Sequence, residues 1–357
     1  MSLTAISLFT GAMGLDLGFE KNGFDIRVAV DNNPAVCDTI KANSPLLPLI
    51  PRDIRHVSTN AILKKANLRK SEATVVIGGP PCQSFSTAGR RLSINDQRGA
   101  LVFEFIRVVR ESKPTFFVFE NVPGLRSATL RHISFYERAE KKPDEIPKES
   151  RLGEAFTLLL RKFRMTKYKL TVEVLDAADF GAPQKRRRLF IMGTRDGQFL
   201  EIRERKRGCT TLRKALNGLN DPQPEFFPFP PWGKYLQYVP PGGDWRDLPE
   251  EIKKEAMGRA FYSQGGRTGF FRRLHWDRPA PTLVSSPIRK ATCLAHPDQI
   301  RPLSIKEYSA VQGFPKRWQF KGSTKEKYEM IGNAVPLHLS SIVGKAIKSA
   351  AVNGEIN

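Results

Sequence analysis

The sequence predicts an α/β fold, a parallel sheet covered by helices, with a second, smaller and irregular domain. Three observations carry that reading. Short β-rich runs near 4–9, 26–30, 74–77 and 115–120 alternate with helical patterns near 14–22, 33–43, 57–68 and 100–112, as expected for strands joined by crossover helices. From 196 to about 302 helical periodicity becomes rare, and proline-rich stretches such as "DPQPEFFPFPPW" and "VPPGGDW" take over. At 357 residues the chain exceeds the ~250 to 300 at which a single core stops growing. The expected boundaries are 1–195, 196–302 and 303–357, the last segment returning to helical character in "SIKEYSAVQ" and "VPLHLSSIVGKAIKSAAV".

The opening "MSLTAISLFTGAMGLDLGFE" reads as strand, glycine turn and helix. It has no basic leader and carries Asp16 and Glu20, so it is not a signal peptide. Thr74-Val75-Val76-Ile77 is an apolar strand that Pro80-Pro81 must end, because proline lacks a backbone donor and fixes φ. A further apolar strand ends at Glu120 in "FFVFENVPG". Strands near 168–175 and 187–193, joined by "DAADFGAPQK", are expected to form a hairpin-like edge. Residues 126–151 are rich in charge and poor in apolar side chains, and read as an insertion or mobile loop. No run reaches the ~20 apolar residues a membrane span needs.

Composition narrows the function. Fifty-eight Lys and Arg oppose 36 Asp and Glu, a formal charge of +22, far beyond what solubility requires, so a polyanionic partner, nucleic acid first, is implied. Cys37, Cys82, Cys209 and Cys293 are widely spaced, with no CxxC pair, which argues against a zinc site and a disulfide framework. A reduced, cytoplasmic, monomeric protein without a metal is expected.

In open α/β sheets ligands bind beyond the carboxyl ends of the strands. The first strand ends in "FTGAMGLDLGF", a turn that lets backbone amides and a helix N-terminus approach a ligand. The second ends at Asp31, 20 residues after Gly11, the spacing at which an acid reaches a ribose hydroxyl. Asp53 in "RDIRHV" either sits beside the same site or caps the next helix. After the third strand comes Cys82, in the rigid turn "GGPPCQSFS". Glu120 ends the fourth, where a carboxylate is costly unless paired or raised in pKa. In "QKRRRLF" a strand would place Arg186 and Arg188 on one face, leaving Lys185 and Arg187 for solvent or phosphate.

These motifs, in order "FTGAMGLDLGF", "VDNNP", "RDI", "GGPPCQSFS", "QRGALVFE", "ENVPG", "PQKRRRLF", "RPAPTL" and "GNAVP", resemble those of the DNA (cytosine-5) methyltransferases along nearly the whole chain. The resemblance implies a Rossmann-like S-adenosylmethionine-dependent methyltransferase domain (1–195), an irregular target-recognition domain (196–302), and a hinge and C-terminal helix returning to the first (303–357). It implies S-adenosylmethionine as methyl donor and a cytosine flipped out of double-stranded DNA as substrate. Cys82 is implied as the nucleophile on carbon 6, with Glu120, Arg186 and Arg188 holding the base. Phe9, Thr10, Gly11, Gly14, Asp31, Asn32, Asp53, Ile54, Gly79, Pro81, Leu101, Asn333 and Ala334 fall at cofactor-pocket positions. Gln83, Ser86, Arg90 and Arg91 are candidate DNA contacts, the stretch "STAGRRLSINDQRGA" suits a closing loop, and Arg267, Arg272, Arg273 and Trp245 are candidates for base readout.

The chain departs from the family pattern at Met13, where a second glycine is usual, and the expectation is a reshaped methionine side of the pocket. A transfer RNA methyltransferase is the nearest alternative, but the Cys-Phe-Thr signature of such relatives is absent. A non-catalytic DNA-binding homologue would have lost Cys82, Glu120 or the glycine turn. A nicotinamide-dependent dehydrogenase leaves "PPCQ", "ENV" and the charge of +22 without a reason.

Overall fold

The computed structural model describes residues 2–81, 100–198, 200–202, 208–262 and 269–353. Seven strands form one sheet: β1 (Leu3–Leu8), β2 (Phe24–Val30), β3 (Leu49–Ile50), β4 (Val75–Gly78), β5 (Phe116–Asn121), β6 (Lys169–Asp176) and β7 (Arg187–Thr194), in the order β3-β2-β1-β4-β5-β7-β6. The first five run parallel. The β7 strand is antiparallel to β5 on one side and to β6 on the other, so the expected hairpin edge is present, entering the sheet with its later strand innermost. The two-residue β3, tucked behind Pro48, carries too few residues for a periodic pattern to announce it.

Alternation along the strands builds two separate cores, since successive side chains point to opposite faces. Ile6, Leu8, Val76, Phe117 and Phe119 meet α3 (Thr59–Lys65), α4 (Ala100–Ser112) and α6 (Glu154–Arg164) on one face. Ala5, Val75, Ile77, Phe116 and Val118 meet α1 (Gly14–Glu20) and α11 (Leu337–Asn353) on the other. With both faces covered, β5 can be buried at every position, as parallel central strands generally are. Ser58 caps α3 by accepting from the Ala61 N–H, which starts that helix two residues later than the pattern near 57–68 suggests.

A third cluster joins Met13 and α2 (Pro34–Asn43) to α9 (Ile305–Gln312) and α10 (Thr324–Asn333). Within 196–302 the described residues form no strand, only α7 (Leu212–Leu216), α8 (Glu250–Met257) and segments of 3-10 helix, the longest Pro231–Tyr238. Part of this stretch has its own small core around Leu236, Phe271 and Cys293, whereas Leu212, Leu274, Ala280 and Leu283 belong to the cluster of α9 and α10. The segment 126–151, read as an insertion or mobile loop, instead holds α5 (Phe135–Glu140) and short 3-10 turns. Its anchor is local, for the Arg138 guanidinium donates to the carbonyl of the buried Ser150 at 2.7 Å.

Candidate active site

Asp31, Gly79 and Glu120 lie at or just past the carboxyl ends of β2, β4 and β5, and the β1 to α1 turn follows β1. In that turn Phe9, Gly11 and Met13 all have positive φ (54°, 56° and 66°). The Gly11 N–H donates to Asp31 at 2.9 Å. The other Asp31 oxygen accepts from the Asn33 N–H at 2.9 Å. Burial pushes the Asp31 carboxyl up, and these backbone donors only partly offset it. Space over the Gly11 α-carbon is open, the nearest atom being the Phe9 carbonyl oxygen at 4.0 Å. Thr10 is buried and its hydroxyl pairs with that of Ser7 at 3.0 Å.

Gly14 lies deeper. A Cβ on it would come within 2.6 Å of the Val335 carbonyl oxygen, so glycine here lets the Asn333–Val335 segment close onto α1. Asn333 is exposed and Ala334 half-buried beside it. Met13 is fully buried and belongs to the apolar cluster that includes Val36, Tyr328 and Ile331. Its side chain thus forms part of an apolar plug beneath the turn.

Asp53 caps the 3-10 turn Ile54–His56 by accepting from the Arg55 N–H, and it pairs with the Arg55 guanidinium at 2.7 Å. That partner holds its carboxyl below the usual range. Asn32 reaches it at 3.5 Å, tying the end of β2 to this turn. Ile54 is buried, and Phe9 and Leu101 are partly buried against the same core.

Glu120 is the most constrained acid of the site. Only 8% exposed, it pairs with the Arg188 Nε at 2.9 Å. Burial raises its carboxyl, while Arg188 and then Arg186 oppose the rise. A Cβ on Gly79 would sit 2.7 Å from Glu120 Oε2, so the carboxyl lies directly over the α-carbon that precedes Pro80-Pro81. Asn121 completes the junction, donating from Nδ2 to the Pro80 carbonyl at 3.2 Å and accepting from the Val122 N–H at 2.9 Å. Sequence reading gave Asn121 no role; a polar residue at the end of an otherwise apolar strand was the available signal.

Arg186 departs from expectation. It precedes β7, is wholly buried, and donates to the carbonyls of Leu283 (2.7 Å), Gly332 (2.5 Å) and Ala334 (3.1 Å). Its charge faces Glu120, yet these bonds make it a clamp across three segments. Lys185 and Arg187 are exposed as anticipated. Around the clamp lie buried residues the sequence reading missed: Gln184 bonds Gln312, Gln312 donates to the Ile331 and Ala334 carbonyls, and the Tyr308 hydroxyl accepts from the Val284 N–H.

Among the second-domain candidates, Arg273 is a correction. Its guanidinium bonds the carbonyls of His296 (3.3 Å), Leu236 (3.4 Å) and Val239 (2.9 Å), which makes it framework rather than a free reader of bases. Arg272 is half-buried, and burial lowers its pKa. Trp245 is partly buried and carries the Arg246 guanidinium 5.7 Å from its ring centre. Pro81 is exposed. Cys82, Gln83, Ser86, Arg90, Arg91 and Arg267, with the expected closing loop, lie outside the described residues. Among the described residues no group of His, Cys, Asp and Glu is placed to hold a metal ion, and no helix is long and apolar enough to cross a membrane.

Comparison with known proteins agrees with this architecture. A family model described as C-5 cytosine-specific DNA methylase matches residues 3–224 and 233–349. The Type II methyltransferase M.PspPI of Psychrobacter sp. (strain TA137) is 37% identical over 357 residues, covering 97% of this chain and 79% of the relative. M.Eco47II of Escherichia coli, also a Type II methyltransferase, is 37% identical over 354 residues, covering 96% and 78%. A solved prophage-encoded E. coli protein described as a DNA modification methyltransferase shares the fold with a TM-score of 0.66 at 22% identity, covering 98% of this chain and 100% of the other. Matched by the family model over most of its length, with relatives at this identity, the chain belongs to the C-5 cytosine-specific DNA methylase family.

Proposed function

We propose that the residues gathered at the carboxyl ends of β2, β1, β4 and β5 methylate carbon 5 of a cytosine flipped from one specific word of duplex DNA. The protein is an S-adenosylmethionine-dependent C5-cytosine DNA methyltransferase; the residue roles are our assignment. The observation that carries them is the buried Glu120–Arg188 pair lying over Gly79 and joined through Asn121 to the Pro80-Pro81 turn. That turn leads directly into Cys82.

The Cys82 thiolate adds to carbon 6, breaking the 5,6 double bond and leaving carbon 5 electron-rich. Glu120, its carboxyl pushed up by burial and held back by Arg188 and Arg186, is assigned to hydrogen-bond the ring nitrogen that gains charge, while Arg188 fixes the carboxyl's orientation. Once carbon 5 bears the methyl group, its proton leaves to solvent, and the electron pair of that bond re-forms the 5,6 double bond as the carbon 6–sulfur bond breaks and the thiolate departs. Free thiol with a pKa of ~8.5 is only a few per cent ionised at neutral pH, so the step gains from any positive charge brought near the sulfur.

The residues present fit the cofactor: the space over Gly11 is open, the Asp31 carboxyl is bonded beside it, and Ile54, Phe9 and Leu101 supply apolar side chains from one cluster. When bound there, S-adenosylmethionine supplies the electrophilic methyl group. Asp31 would hold its ribose, Asp53 with Asn32 its adenine edge, and Gly79 and the Asn333-Ala334 step its remaining sides. The Type II methyltransferases among the relatives support a part in restriction-modification; action as a monomer on cytoplasmic, nucleoid DNA belongs to the same proposal.

The test is a duplex carrying 5-fluorocytosine within the recognised word, the word itself being found by bisulfite sequencing of DNA from an expressing host. A denaturation-resistant protein-DNA band is expected with the wild type and none with Cys82→Ser; an equal band from the variant would overturn the nucleophile. Glu120→Gln should slow trapping by at least a hundredfold while leaving cofactor affinity within a few-fold.

A further inference from the structure

We propose a second, sequence-independent duplex DNA site on the rim at the amino ends of the strands, opposite the catalytic end. Four stretches meet there: 64–72, 110–113, 161–169 and 195–196. Together they hold 12 Lys and Arg against 3 acids, a net +9 out of the chain's +22 carried by about one residue in fifteen.

Backbone contacts make the rim continuous. The Ser71 N–H donates to the Ser112 carbonyl at 2.8 Å, joining the first stretch to the second. Arg195 donates to the Lys113 carbonyl at 2.8 Å. Lys169 pairs across the sheet with Thr194, which brings in the stretch from the end of α6. Lys70, Lys113, Arg164 and Lys167 are exposed, and among the described residues none of them is in a salt bridge.

Helix polarity explains only part of this charge. The α3, α4 and α6 helices all end at the rim, and cations in a last turn answer the negative end of the helix dipole. Lys70, Lys113, Lys167 and Lys169 lie beyond those last turns. Two of them occupy strained backbone: Lys113 has φ 51° and Lys167 φ 65°, left-handed positions just past helix ends where glycine is the low-cost residue. A side chain is disfavoured in that conformation, and among the described residues neither lysine's side chain has a hydrogen bond or ion pair, so the solvent-facing charge is what the position gains.

The partner is duplex DNA, because the substrate brings that polyanion to the molecule and the rim has the composition of a phosphate-tracking surface: many unpaired cations and few acids. It is a different duplex from the one being methylated. The six residues of β5 at ~3.3 Å each put Glu120 roughly 15 to 20 Å from the rim, on the other end of the sheet.

The experiment first fills every active site covalently with a short 5-fluorocytosine duplex, then titrates the trapped complex with a fluorescent 20-base-pair duplex of unrelated sequence. Binding of the second duplex is expected, weakening steeply with salt. The triple variant K70E/K113E/K167E should bind it at least tenfold more weakly, with a logarithmic salt slope smaller by about 3. The same variant should methylate a short single-site duplex at the wild-type rate, which establishes that it is folded and that its catalytic end is intact. No binding to the trapped wild-type complex, or equal binding by the variant, overturns the second site. Preferential capture of single-stranded RNA or a poly-glutamate competitor over duplex DNA also overturns it. Because trapping is scored beforehand on a denaturing gel, failure of the Cys82 assignment is seen separately.

Discussion

Replacing Met13 by glycine distinguishes a plug beneath the cofactor turn from a wall of the cofactor pocket. Two effects oppose each other. Met13 sits at φ 66°, so glycine relieves ~1 to 2 kcal/mol of left-handed strain, minus ~0.5 to 1 kcal/mol for the extra freedom glycine gives the unfolded chain. Against this, the side chain is 0% exposed among Val36, Tyr328, Met330 and Ile331, and truncating a buried methionine costs about 2 to 5 kcal/mol once the cavity is included. The loss exceeds the relief, and Met13→Gly should be less stable by about 2 to 3 kcal/mol. Urea unfolding followed by fluorescence measures this as a lower midpoint at unchanged slope. Equilibrium dialysis of S-adenosylmethionine under native conditions should show affinity within about threefold of wild type. A variant as stable as the wild type, or one that keeps its stability while cofactor affinity changes tenfold, would refute the packing argument.

Other perturbations follow from the same geometry. Asp16 is wholly buried, no hydrogen bond of good geometry reaches its carboxyl oxygens among the described residues, and burial pushes its pKa from 3.8 up to about 7, the nearby Ser7 hydroxyl offsetting only part of the shift. Between those pH values the folded chain keeps a proton that the unfolded chain has lost, so stability should fall as pH rises from about 4 to 7, by up to about 4 kcal/mol, and level off above. Asp16→Asn should flatten that slope in urea midpoints taken at pH 5 and pH 8. Asn121→Ala leaves the Pro80 carbonyl without its partner and should reduce kcat at least tenfold with little change in the KM for cofactor, in single-turnover and steady-state assays together. Arg186→Lys keeps the charge but cannot span the Leu283, Gly332 and Ala334 carbonyls, so about 3 kcal/mol of stability should be lost, read from the urea midpoint.

Much of this arrangement was legible before any coordinates, because strands buried on both faces and closed by Gly or Pro write themselves as short apolar runs. The β4 and β5 strands are of that kind, and Glu120 stood out as a charge where apolar residues should end. The clamp made by Arg186 was hidden from the sequence for a physical reason. Strand alternation puts it on the face of Arg188, but β7 begins only at Arg187, and the carbonyls that capture its guanidinium come from residues about 100 to 150 positions away. Met13 illustrates the converse: the local motif marks it as a departure from glycine, and only the packing of α2 and α10 shows where its side chain goes. Asp53 caps the 3-10 turn Ile54–His56 and not the next helix, whose cap is Ser58, because the chain turns once between the acid and that helix.

The contact between α1 and α11 sets an order of events during synthesis. A Cβ on Gly18 would lie 2.1 Å from Ser340 Oγ, that hydroxyl donates to the Gly14 carbonyl at 2.8 Å, and Asn22 donates to the Ser341 carbonyl at 2.9 Å. Helix α1 thus has its docking partner only after some 320 further residues have left the ribosome. A nascent chain would carry the target-binding and acid-bearing segments while the cofactor turn still lacks its back wall, so methylation competence arrives as the last helix seats.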